Sequence, residues 1–119
     1  MDKIKSYKDL LIWQKGIDLT VDVYELIKQF PNEEKYALSQ QMKRGAVSIP
    51  SNIAEGWGRK TDKSFGYFLS VSRGSLFELQ TQLIIASKLN YFGEDALKKI
   101  ENKIDELGKM TNSLMSKLK

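Results

Sequence analysis

Residues 44–60 read RGAVSIPSNIAEGWGRK, with a central proline, three glycines and one carboxylate among small and apolar neighbours. Little in that composition favours a helix, yet the spacing does. Leu38, Met42, Gly45, Ile49, Ile53 and Gly56 fall along one side of a helix, and Arg44, Ser48, Asn52, Glu55 and Arg59 fall along another. Pro50 deletes the amide that would bond the Ala46 carbonyl, at a cost of about 3 kcal/mol in an unbroken helix. A kink is therefore expected, with Ser48, Ser51, Asn52 or a water serving the freed carbonyl. Gly45 and, further on, Gly74 each cost about 1 kcal/mol relative to alanine inside a helix. Equal rise along two helices joined near residue 59 sets Gly74 opposite roughly residue 44, so both glycines are expected at one close crossing. Glu55, one turn from both Asn52 and Arg59, reads as a hydrogen-bond anchor.

Outward from this segment, apolar residues keep helical spacing almost throughout, without the sustained alternation of a half-buried strand. The first helix is predicted from about Lys8 to Gln29, stopping before Phe30-Pro31 because proline disfavours helical geometry in its predecessor. Asn32 suits the N-cap of the second, and Gly56 and Gly58 can take the positive φ of its C-terminal cap. Thr61 or Asp62 caps a third helix to about Asn90, with Phe65, Leu69, Leu76, Leu79, Leu83 and Ala86 inward. After a turn at Tyr91, Phe92 and Gly93, a fourth helix from about Asp95 spaces Leu97, Ile100, Ile104, Leu107, Leu114 and Leu118 three, four or seven apart. Short connections between long helices give an all-α, antiparallel up-down four-helix bundle with a kinked second helix. At 119 residues the chain reads as a single domain over residues 1–119.

The first helix carries two apolar stripes where a bundle needs one. Trp13, Ile17, Tyr24 and Ile27 form the first, and Ile12, Leu19, Val23, Leu26 and Phe30 form the second. On the third helix, Phe77 and Ile84 lie on a line that continues to Tyr91, away from the main core positions. Small monomers rarely expose extended apolar patches, so Ile12, Leu19, Val23, Leu26, Phe30, Phe77 and Ile84 are expected at a homo-oligomer interface. The alternative is an ordinary wide core face.

Composition narrows the chemistry. The sequence has no cysteine and no histidine, which removes disulfides, thiolate metal sites and the usual imidazole base or ligand. Glu55 and Glu78 would stand roughly 15 Å apart along the bundle axis, too far for shared acid–base work. No enzyme, metal site or cofactor is expected. No apolar run is long enough to span a bilayer and no signal-peptide pattern opens the chain, so a cytoplasmic protein without a membrane partner is expected.

The formal net charge of +4 is unevenly spread: residues 42–75 hold six Lys and Arg against two Asp and Glu, whereas the flanking thirds are nearly balanced. A local basic surplus fits an anionic partner, nucleic acid first. Lys43, Arg44, Arg59, Lys60, Lys63 and Arg73 are the candidate contacts, with Trp57, Phe65, Tyr67 and Phe68 interleaved near the turn. Cations there can hold phosphate while an aromatic ring stacks on an unpaired base. The plainer alternative buries the aromatics, leaves the cations solvated and pairs Arg44 with Glu78 for less than about 1 kcal/mol.

The run Ser48-Ile49-Pro50-Ser51-Asn52-Ile53-Ala54-Glu55-Gly56, then Gly58-Arg59, resembles the signature of the bacterial 23S-rRNA intervening-sequence proteins. Leu11, Trp13-Gln14-Lys15, Phe30-Pro31, Gln41, Gly74-Ser75-Leu76 and Glu78-Leu79 extend the likeness across nearly the whole chain, while Ser72 replaces a usually small apolar residue. The resemblance implies a homo-oligomeric bundle, in a ring of five, with Ser48, Pro50, Asn52, Glu55, Gly56, Gly74, Ser75 and Glu78 as its structural motif. It also implies kinship with a basic pentamer that assists the reverse transcriptase of diversity-generating retroelements. The expected function is a non-enzymatic scaffold that binds nucleic acid, RNA in preference to DNA; the alternative is an adaptor docking a partner protein such as a reverse transcriptase.

Overall fold

The computed structural model describes residues 4–119, which form four α-helices and two short 3-10 turns. They are α1 (Leu11–Ile27), α2 (Leu38–Gly58), α3 (Asp62–Lys88) and α4 (Glu94–Ser116), with the 3-10 turns at Tyr7–Asp9 and Asn32–Glu34. No strand occurs among the described residues. Each helix packs on two neighbours: α1 on α2 and α4, and α3 on α2 and α4. The elongated body measures 45 × 26 × 19 Å.

The core runs along its centre. Leu19 and Val23 of α1, Met42, Ala46, Ile49 and Ile53 of α2, Leu69, Leu76, Leu79 and Leu83 of α3, and Ile104 and Leu107 of α4 are all but sealed from solvent. At roughly 25 cal/mol per Å² of apolar surface removed from water, this burial supplies the main drive for folding. Five of the residues expected between subunits lie here instead. Ile12, Leu19, Val23, Leu26 and Phe30 are buried within the subunit, whereas Ile17, Val21 and Tyr24 face outward. The stripes of α1 thus exchange the roles the spacing suggested, and Ile27 leaves its own stripe to join the core.

Contacts with both neighbours fix that rotation of α1. Gly16 meets Pro50, where a Cβ would stand 3.3 Å from the proline Cβ, and Lys15 pairs with Glu106 at 2.9 Å. Asp22 also pairs with Lys103. Phe77 is exposed and Ile84 half-buried, so these two remain open to a partner.

Helix α2 runs without interruption through Pro50. Neighbouring side chains serve carbonyls on either side of the proline. Thr20 Oγ1 of α1 donates toward the freed Ala46 carbonyl at 3.1 Å, shared with its own Gly16 carbonyl at 2.8 Å. Ser48 Oγ donates to the Gly45 carbonyl, Asn52 Nδ2 to that of Ser48, and Ser72 Oγ of α3 to that of Ile49. The expectation that Ser48 or Asn52 would serve Ala46 is therefore corrected, because a hydroxyl from another helix does so. Ser72, the departure from the family pattern, is buried with its polar atom satisfied.

Glycine does not mark the crossing the sequence suggested. Gly74 is exposed with open space around its Cβ position, and Gly45 faces the Gln82 side chain. The tight approach is at Gly56, where a Cβ would stand 2.7 Å from Phe68 Cβ and 3.4 Å from Phe65 Cα. Nor does any glycine take positive φ: Lys60 does so after α2, at 66°, and Asn90 after α3, at 63°. Thr61 caps α3 as expected, accepting from the Ser64 amide at 3.1 Å. The second helix starts later than expected, since Asn32–Glu34 forms its own turn and α2 begins at Leu38.

Candidate nucleic-acid interface

The six candidate cations do not form one surface. Arg59, Lys60 and Lys63 cluster around the α2–α3 turn, but the other three point toward different neighbours. Lys43 Nζ lies 5.3 Å from the Tyr24 ring centre, on the α1 side. Arg44 lines a cleft between α2 and α3. Arg73 Nη1 donates to Asn112 Oδ1 of α4 at 2.7 Å. Helical rise sets Lys43, Arg44 and Arg73 at similar levels along the bundle, while helix rotation separates them, which corrects the expectation of one basic surface. Arg44 and Glu78 share a cleft without pairing, so the ion pair of the plainer alternative does not form.

At the turn the cations and aromatics do meet. Arg59 Nε donates to Glu55 Oε2 at 2.8 Å, and its guanidinium carbon sits 5.2 Å from the Phe68 ring centre. Glu55 is thus the anchor its spacing suggested, holding Arg59 against an aromatic face. Lys60 and Lys63 are exposed and form no ion pair among the described residues. Trp57 is half-buried, edge-on to buried Phe65 at 6.1 Å, so these rings pack into the subunit as the plainer reading held. Tyr67 is 63% exposed, its ring set nearly at a right angle to that of Phe68 with centres 5.1 Å apart.

Two cationic residues beyond the sequence-based candidates come to this end. Lys5 joins Trp57, Lys60, Thr61, Asp62 and Phe65 around a cleft of about 410 Å³, and the Lys119 amide donates to Asp62 Oδ2 at 3.1 Å. Both lie far from residue 60 in sequence, and no local pattern signals their arrival. Among the described residues, no cluster of carboxylates suits a metal ion. No helix there is long and apolar enough to cross a membrane.

The sequence matches the family described as 23S rRNA-intervening sequence protein over residues 8–113. The chain belongs to that family. This intervening-sequence protein also shares its fold with a crystal structure of a protein of unknown function, from the S23 ribosomal protein family of Bacteroides thetaiotaomicron. The TM-score is 0.81 at 24% identity, covering 88% of this chain and 98% of the other. At that identity the likeness speaks for the fold alone. Among curated proteins no match is found.

Proposed function

We propose that this intervening-sequence protein is a non-enzymatic, homo-oligomeric scaffold that binds nucleic acid, RNA in preference to DNA, in the bacterial cytoplasm. The observation that carries the binding reading is the α2–α3 end, where Lys5 and Lys60 line an open cleft and Lys63 and Tyr67 are exposed nearby at the start of α3. Exposed cations release counterions when they meet phosphate, and an exposed tyrosine ring stacks on an unstacked base. Arg59 adds charge while Glu55 fixes its direction.

Assembly is supported by apolar surface the subunit leaves uncovered. Ile17, Val21 and Tyr24 make one exposed stripe on α1, and Ile85 and Leu89 make another at the C-terminal end of α3. Two unlike stripes suit a head-to-tail contact, which closes into a ring. In this reading each subunit is an antiparallel up-down bundle, and the ring of five implied by the family resemblance repeats the basic end around its rim.

Gel-shift titration of a structured RNA at two salt concentrations tests the binding. Affinity falls steeply with salt, and a Lys60→Glu, Lys63→Glu double variant loses most of it. Unchanged binding by that variant, or no shift at low salt, overturns the reading. A protein partner retained from the host through nuclease and high salt, with no RNA bound, assigns the docking role instead.

A further inference from the structure

A second site lies on the α2–α3 flank, where signature residues unused by the fold converge. Gln41, Arg44 and Gly45 of α2 face Ser75, Glu78 and Gln82 of α3 across a cleft of about 550 Å³. Ser75 and Glu78 belong to the motif read from the sequence, yet among the described residues neither makes a side-chain hydrogen bond or ion pair in the subunit. Gln82 is more telling: its side-chain oxygen is sealed from solvent and has no hydrogen-bond donor. Gly45 stands next to it, and a Cβ there would lie in van der Waals contact with that oxygen at 3.8 Å. An unmet buried acceptor is unfavourable, and a turn of the amide toward the cleft would let a bound donor relieve it.

The cleft therefore offers a carboxylate and an unmet amide oxygen, and on the same rim a guanidinium that no carboxylate among the described residues holds. Its complement is a group with adjacent hydrogen-bond donors and a nearby negative charge. We propose that the α2–α3 cleft receives an unpaired guanine of a bound nucleic-acid strand, with Glu78 reading its Watson–Crick edge. Guanine presents N1–H and the N2 amino group side by side, two parallel donors that a carboxylate accepts together. Adenine and cytosine set a ring-nitrogen lone pair beside their amino group, and uracil flanks its one N–H with two carbonyls, so a carboxylate repels each. The Gln82 oxygen accepts from the second N2 hydrogen, Gln41 and Ser75 have donors for the acceptor edge, and Arg44 holds the adjoining phosphate. This inference rests on the nucleic-acid reading and gives it a base preference.

The test is fluorescence anisotropy at low salt with the full-length protein. The probes are a labelled uridine oligomer carrying one guanosine and matched oligomers carrying adenosine, or inosine, which lacks the N2 amine. The guanosine oligomer binds about tenfold or more tightly than the adenosine one, and inosine falls between them. Glu78→Gln brings all three to the same affinity while their shared salt dependence persists, with an unchanged melting curve confirming the fold. Equal affinities in the wild type, or a preference that survives Glu78→Gln, overturn the guanine site and leave the nucleic-acid reading standing. No binding of any oligomer, nor of structured RNA, overturns both.

Discussion

At the scale of residues, Thr20, Pro50 and Gly56 show how the awkward segment is accommodated. A proline in mid-helix frees a carbonyl, and in a packed interior that carbonyl needs a donor from outside its own helix. Thr20 provides it, so Thr20→Val, nearly isosteric but without the hydroxyl, is expected to destabilise the fold by about 1–3 kcal/mol in urea unfolding. Gly56→Ala is expected to cost about 1–3 kcal/mol, because the added methyl group meets Phe68 and the backbone of Phe65. Gly74→Ala has the opposite sign in the isolated subunit. With nothing near its Cβ position, it gains about 1 kcal/mol of helix propensity when unfolding is followed at a concentration where the subunits are apart. A loss there would contradict the open surroundings of Gly74.

At the scale of elements, the end of the body opposite the basic turn depends on connectors. The Asn32–Glu34 turn holds Glu34, whose Oε2 accepts from the Tyr91 hydroxyl at 2.6 Å and whose Oε1 accepts from the Leu38 amide at 3.4 Å. One carboxylate thereby ties the start of α2 to the turn between α3 and α4. Phe30 packs there against Tyr91 and Phe92, with ring centres 5.3 and 6.1 Å away. The hydrogen bond to Glu34, then burial, then the charges of Glu34 and Glu33 push the Tyr91 phenol up from 10.0 to about 12. Since the folded value is the higher one, this stabilisation is complete below pH 10 and is lost as pH rises through about 12. Tyr91→Phe is expected to remove that part of the pH dependence, seen by comparing denaturant midpoints of variant and wild type across the window. Parallel curves for the two proteins would refute the linkage.

At the scale of the whole molecule, the uncovered stripes of α1 and α3 govern assembly. Val21→Lys or Ile85→Lys places a charge on an exposed apolar face without touching the core, so each is expected to yield a folded monomer by light scattering. Helix content by circular dichroism stays at the wild-type level, since both positions are already wet in the single subunit. An assembly unaffected by either change would place its interface elsewhere, with Phe77 and Ile84 the next surface to alter.

The legibility of the chain follows the range of the forces involved. Helices, their approximate limits, the Thr61 cap, the inward residues of α3 and the Glu55–Arg59 pair were readable because each depends on neighbours within a turn or two of sequence. So were the absence of cysteine and histidine and the basic middle third, which are properties of composition. The tertiary structure alone decided which stripe of α1 faces inward, because two apolar stripes are equivalent until Gly16 meets Pro50 and Lys15 meets Glu106. It likewise decided the donor for Ala46, the scattering of Lys43, Arg44 and Arg73, and the arrival of Lys5 beside Lys60. Each of these turns on the rotation of one helix about its axis relative to another, or on a meeting of residues distant in sequence, and local periodicity contains neither.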